Sequence, residues 1–187
     1  MTLQNPKKFK MMIDQAHDVA INVLRPISRK YDKAEHAYPK ELDMLASLID
    51  GMNEGGEGIN AGAAVGKRGE TESGNKNGNN MSTALGIIEM CYGDTGLLLS
   101  MPRQGLGNSA IAAVANDEQL ERFKGTWAAM AITEPGCGSD SAAIRTTATQ
   151  DGDEYILNGE KIFVTSGERA DSVVVWATLD KSLGRAA

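Results

Sequence analysis

Near Gly125 the spacing of apolar residues changes, and no other feature restricts the possible folds as strongly. Before it, apolar side chains recur at three- and four-residue steps; after it they tend to alternate, with glycine turns between the runs. The first period serves one face of a helix and the second one face of a strand, and a segment cannot satisfy both. The chain therefore reads as helices first and an antiparallel sheet second. This is an α+β organisation in two parts, an N-terminal all-helical domain over residues 1–126 and a β domain beginning at 127–187.

In the first part, Asn5-Pro6 is a helix start, because asparagine caps free N–H groups and a first-turn proline has none to lose. Phe9, Met12, Ile13, Ala16, Ala20, Val23, Leu24 and Ile27 form one stripe, which Pro26 should kink or end. Pro39 opens a second helix with Leu42, Leu45 and Ile49 on one face and Gly51 as its stop. Residues 51–80 are rich in glycine and asparagine, with little large apolar content after Ile59 except Val65. Too little can be buried there to offset ordering entropy, so a long loop, disordered by default, is expected. Helix resumes at Met81 with Leu85, Ile88 and Tyr92 as its stripe. Asp94 should cap a further helix carrying Leu97, Leu98 and Met101, which Pro102 bends or breaks. Ile111 and Val114 mark another helix, and Asn116 caps a last short one with Leu120 and Phe123.

In the second part Ile144–Gln150 alternates, Asp151-Gly152-Asp153 turns and Glu154–Leu157 extends. Asn158-Gly159 is a strong hairpin signal, since both central residues of a type I′ turn need positive φ, and Glu160–Thr165 is expected as the returning strand. Ser172–Leu179 is apolar on both faces and should be central or covered. That strand lacks a neighbour when the sequence stops seven residues after Asp180. A partial antiparallel sheet or barrel, truncated rather than finished, is the expectation.

With 19 Lys+Arg against 25 Asp+Glu, the 187 residues carry a formal charge of −6. This argues against nucleic acid, whose binders displace counterions with clustered cations, and against anionic membrane surfaces. No run approaches the ~18 apolar residues of a membrane span, and the first ten residues lack the apolar segment of a secretory signal. Cys91 and Cys137 provide neither a disulfide framework nor zinc spacing. A soluble cytoplasmic protein is expected.

Several signals fail on inspection. Gly62–Lys67 resembles a phosphate loop but is one residue short, and Arg68 stands where Ser or Thr must hold magnesium. His17 and His36 are solitary, so no metal site is expected, and Cys137 has no histidine downstream of it. The informative block is Met-Ala-Ile-Thr-Glu-Pro-Gly-Cys-Gly-Ser-Asp, residues 130–140. Its glycines let a backbone approach a ligand, Ser139 and successive N–H groups can form an anion-binding concavity, and Thr133 adds a hydroxyl. An ordinary loop between helix and sheet would read the same way from this block alone. Phe163 and Thr165, two apart on the expected strand, put an aromatic and a hydroxyl on one face, which suits a flat heteroaromatic ring.

Taken together, Ala-Ile-Thr-Glu-Pro-Gly-Cys-Gly-Ser-Asp, then Tyr-Ile-Leu-Asn-Gly-Glu-Lys-Ile-Phe-Val-Thr-Ser-Gly, then an apolar strand ending at Asp180, resemble the acyl-CoA dehydrogenase family of flavoproteins. The likeness is close from about Trp127 to Asp180 and weaker over the helical half. It implies FAD as cofactor, an acyl-CoA thioester as substrate, α,β-desaturation with hydride transfer to the flavin, an electron-transferring flavoprotein as acceptor, and a homo-oligomer. Carried over, Ile132 and Thr133 would line the pyrimidine end of the flavin. Gly138 and Ser139 would approach the pyrophosphate, Ser139 also the acyl thioester, while Phe163, Val164 and Thr165 would flank the ring. Phe163 stands where the family commonly has tryptophan, Cys137 where it has a small residue, and Ser166 where it has asparagine. The family's base is a glutamate of a C-terminal helical domain that this sequence does not reach. No catalytic residue is therefore expected here, Glu134 is not promoted to that role, and the chain alone should hold FAD weakly and leave acyl-CoA unoxidised. Acyl-CoA oxidases and flavin monooxygenases of the same fold, or a non-catalytic remnant, are the alternatives.

Overall fold

Helix packing in the first part is organised around one apolar cluster. The computed structural model describes residues 6–35, 37–54, 79–102 and 106–186, the side chains of 6, 49–54, 79–80 and 185–186 excepted. Asn5, His36, Gly62–Lys67 and most of the 51–80 segment lie outside the described residues.

After a 3-10 turn at Pro6–Phe9, helix α1 (Lys10–Val19) passes through a π-helical turn, Ala20–Leu24, into α2 (Arg25–Lys33). Pro26 therefore neither ends nor breaks the helical path. Its missing N–H and its clash with the carbonyl four residues back fall where the wider π register has already displaced the ordinary hydrogen bonds. Helix α3 (Lys40–Glu54) runs past Gly51, so that glycine is not the stop; in a helix interior it costs only about 1 kcal/mol relative to alanine. Helix α4 (Asn79–Leu99) is bent at Asp94, whose backbone is non-helical and whose carboxylate accepts from the Leu97 N–H at 2.8 Å, as expected of a cap. Helix α5 (Leu106–Val114) follows, then α6 (Asp117–Arg122), where Asn116 and Gln119 form a reciprocal capping box.

Ala16, Leu24, Leu42, Leu45, Met90, Leu97, Leu98 and Met101 form the buried cluster. The expected stripe on α4 is corrected: Ile88 and Tyr92 are exposed, and the buried positions are Gly86, Met90, Gly93, Leu97 and Leu98. Helices that approach closely are joined through small residues, and a search for large apolar side chains passes over them.

Four strands are present among the described residues: β1 (Ala128–Ala131), β2 (Thr147–Asp151), β3 (Glu154–Asn158) and β4 (Ser172–Val175). The helices-then-strands order and the α+β class hold. Antiparallel pairing joins β2 to β3, with Asp151 opposite Glu154 across a turn whose Gly152 has φ +61°. Strand β1 instead pairs β4 in parallel, Ala128 opposite Ser172 through Ala131 opposite Val175.

The turn expected at Asp151-Gly152-Asp153 closes the β2–β3 hairpin, but two expectations are overturned: no second hairpin forms at Asn158-Gly159, and Glu160–Thr165 is not a strand. Gly159 has a different reason to be glycine: a Cβ there would lie 2.3 Å from Thr146 Oγ1, so the chain passes directly over Thr146. Strand β4 is shorter than expected, with Val173 and Val175 exposed.

Helix α5 docks on β1 through two small contacts. A Cβ on Gly107 would stand 2.3 Å from the Ala128 carbonyl oxygen, so only glycine admits this approach. Beside it, buried Asn108 donates through Nδ2 to the Thr126 carbonyl (2.8 Å) and accepts at Oδ1 from the Ala128 N–H (2.7 Å). One side-chain amide thus stands in for a neighbouring strand at the start of β1.

Candidate functional site

Beyond β1 the chain makes a tight turn. Glu134 and Cys137 exchange both backbone hydrogen bonds, 2.9 and 3.1 Å, around Pro135-Gly136. Neither Gly136 nor Gly138 has positive φ, and a Cβ on either would meet no atom of the chain within 4 Å. Nothing in the described structure requires glycine at these positions; both face open space. Ser139 beside them is exposed.

The side chain of Glu134 turns inward and is 6% exposed. Its Oε1 accepts from the Thr146 N–H (2.9 Å) and from Lys161 Nζ (2.8 Å), and its Oε2 accepts from the Arg145 N–H (2.7 Å), with the Cys137 thiol at 3.9 Å. Burial alone would push this carboxyl up. The Lys161 ammonium and the Thr146 and Arg145 groups outweigh it and hold the pKa at about 2. A carboxylate so fully engaged is a poor proton acceptor near neutrality, and Glu134 is not a general base.

Lys161 also donates to the Ile132 carbonyl at 2.9 Å, and the Ile162 N–H donates to the Thr133 carbonyl at 2.9 Å. Farther on, Thr165 and Ser166 border a small cavity of about 20 Å³ with Trp127, Ala128, Ala129 and Met130. Residues 162–166 therefore run back along 128–133. Along this run Ile132, Thr133 and Val164 are half-buried and Thr165 is exposed. Gly138 and Ser139 lie just past the turn.

Phe163 is 86% exposed and has φ +56°, a left-handed conformation that costs a bulky residue of order 1–3 kcal/mol. Its flanks fix it there: Ile162 is tied to Thr133, and the Val164 carbonyl accepts from the Gly167 N–H at 3.1 Å. The strand alternation expected to put Phe163 and Thr165 on one face does not exist. The ring is instead presented outward by a strained backbone. Ser166, at the third position of the Val164–Gly167 turn, has φ +58°.

This loop is anchored to the helices by Arg169. Its guanidinium donates to the Ser100 carbonyl (2.6 Å) and Asp43 (2.8 Å) and lies over the Tyr38 and Trp127 rings. Sequence reasoning missed Arg169 and Asn108, whose partners are remote. Glu134 was rightly not taken as a base, but its pairing with Lys161 was missed, although two opposite charges inside otherwise small and apolar motifs were a signal.

The remaining expectations fall elsewhere. His17 is exposed on α1 with Nδ1 2.8 Å from Glu89, beside a groove of about 320 Å³ on the helical part, far in sequence from the glycine turn. Cys91 and Cys137 are free thiols. Among the described residues no group of three or more His, Cys, Asp or Glu could hold a metal ion, and no helix is long and apolar enough to cross a membrane.

Residues 129–186 match the model of the acyl-CoA dehydrogenase middle domain. The chain is 34% identical over 181 residues to a 3-(aryl)acrylate reductase of Clostridium sporogenes, covering 90% of this chain and 43% of that one. It is 29% identical over 188 residues to a cyclohex-1-ene-1-carbonyl-CoA dehydrogenase of Syntrophus aciditrophicus, covering 94% and 41%. Among solved structures, butyryl-CoA dehydrogenase from Megasphaera elsdenii superposes with a TM-score of 0.73 at 27% identity, over 98% of this chain and 47% of that one. The chain thus spans less than half the length of these relatives. Likeness of sequence and of fold runs through both the helical and the β part, and the chain belongs to the acyl-CoA dehydrogenase family.

Proposed function

We propose that these residues form the flavin-facing part of an FAD-dependent oxidoreductase that desaturates an acyl-CoA thioester between its α and β carbons. One observation supports the reading: residues 161–166 run back along 128–133, with Lys161 bonded to Ile132, Ile162 to Thr133, and Thr165 beside Trp127–Met130. Ile132 and Thr133 would hold the pyrimidine end and Gly138 and Ser139 the pyrophosphate, with Ser139 also toward the thioester. Phe163, Val164 and Thr165 would hold the ring. The residues fit such a guest. Gly136 and Gly138 leave open space where side chains would stand, and Phe163 offers a free aromatic surface.

When bound, FAD supplies the hydride acceptor for the oxidation. The chain's own part is placement. Backbone N–H groups free of Cβ shielding suit a phosphate oxygen. The hydroxyls of Thr133 and Thr165 can add neutral hydrogen bonds of about 0.5–1.5 kcal/mol each, enough to orient a ring and tune it. An electron-transferring flavoprotein as acceptor, homo-oligomeric assembly and a cytoplasmic location belong to the same proposal for the whole protein.

A second reading has specific support: the relative from C. sporogenes is named a reductase of 3-(aryl)acrylate, so the same Cα–Cβ chemistry can be run in the reductive sense. The first test is titration of FAD into the chain with flavin fluorescence as readout. Saturable quenching is expected, and its absence at submillimolar FAD contradicts the proposal. In the whole protein under anaerobic conditions, bleaching by acyl-CoA thioesters supports the dehydrogenase sense. Reoxidation of the reduced flavin by an arylacrylate supports the reductase sense.

A further inference from the structure

The ion pair of Glu134 and Lys161 is almost dry, its side chains 6% and 10% exposed. A buried pair of this kind gives little net stability over well-packed apolar residues of the same volume, because desolvation offsets attraction. What it gives that an apolar pair cannot is direction. Glu134 receives the Arg145 and Thr146 N–H groups and Lys161, and Lys161 reaches on to the Ile132 carbonyl. Three stretches of chain, 132–134, 145–146 and 161, are fixed at one point by bonds with defined angles. The first carries Ile132 and Thr133, and the last leads directly into Phe163–Thr165, all assigned above to the cofactor.

We propose that Glu134 and Lys161 are positioning residues for FAD: touching no part of it, they set the spacing between the glycine turn and the Phe163–Thr165 segment that grip it. This rests on the flavin reading above. A slide of one segment along the other by a fraction of an ångström would leave Thr133 and Thr165 facing a common guest less well. With an apolar pair, resistance to that slide would fall to the Ile162 N–H bond to the Thr133 carbonyl, without the two charged anchors.

The test is FAD binding by the 187-residue chain, with fluorescence for affinity, visible circular dichroism of the bound flavin for its placement, and far-ultraviolet melting for the fold. The double variant Glu134→Gln with Lys161→Met keeps both shapes and removes both charges. Its dissociation constant for FAD is expected to rise at least about tenfold, as for outer-shell partners of other bound groups. At saturation its flavin spectrum should differ from that of the unaltered chain. Lys161→Arg, which can reach both acceptors, should recover most of the affinity and the spectrum. A chain that was merely less stable would bind the ring in the same place and give the original spectrum. Affinity within about twofold and an unchanged spectrum overturn the proposal while leaving the flavin reading intact. So does a double variant that cannot fold, since the pair would then be structural. Absence of any flavin binding by the unaltered chain overturns the reading and the proposal together.

Discussion

Acid should weaken this fold through Glu134, and the size of the effect follows from its surroundings. The carboxyl titrates at about 2 in the folded chain against 4.5 ordinarily, despite being buried, because Lys161 and two backbone N–H groups favour its charged form. At about 1.4 kcal/mol per pKa unit, that difference is about 3 kcal/mol of stability. The unfolded chain binds the proton more tightly, so protonation favours unfolding. The contribution is complete above pH 4.5 and disappears as pH falls toward 2. Glu41 is also held at about 2 by Lys30 and Tyr31, but half-exposed groups of that kind are screened by solvent and add little. Urea unfolding at pH 7, 5, 4 and 3 measures the loss. The unaltered chain should lose about 2 kcal/mol more over that range than the double variant Glu134→Gln with Lys161→Met, which has no such carboxylate to protonate. Parallel pH profiles for the two chains would refute the reasoning.

Two further substitutions probe local geometry. Asn108→Ala strands the Thr126 carbonyl and the Ala128 N–H where α5 meets β1, and at about 1–3 kcal/mol per orphaned group should lower unfolding free energy by about 2–6 kcal/mol. An unchanged urea midpoint would show that these groups find other partners. Ser166→Gly relieves the left-handed φ of +58° and should raise stability by up to about 1 kcal/mol, read as a higher melting temperature. A decrease would mean that the serine side chain holds the Val164–Gly167 turn.

The parts of the fold that were legible in the sequence are those decided by neighbours in the chain. Asp94 and Asn116 cap their helices because the cap and its N–H partner are three residues apart. The switch from helices to strands follows from periodicity alone. Gly159 was misread because a glycine required by a hairpin and a glycine required by a crossing chain look identical in sequence, and only the position of Thr146 tells them apart. Strand Glu160–Thr165 failed for a related reason: the positive φ at Phe163 and Ser166 breaks an alternation that composition alone would support. At the candidate site the glycine turn and the Phe-Val-Thr segment were both visible as motifs. The tie between them was not, since Lys161 reaches Glu134 across 27 residues. Arg169 left no local trace, because its partners Ser100 and Asp43 lie 69 and 126 residues away.

Substituting Gly138 separates binding from folding. A side chain there meets no atom of the chain within 4 Å and the backbone does not need positive φ, so Gly138→Val should melt with the unaltered chain. If the open space beside the turn is where FAD lies, the added branch blocks its approach and affinity falls at least about tenfold, the loss of roughly 1.4 kcal/mol of binding. An equal dissociation constant for the two chains, measured by flavin fluorescence at the same temperature, would contradict the assignment of this edge to the cofactor.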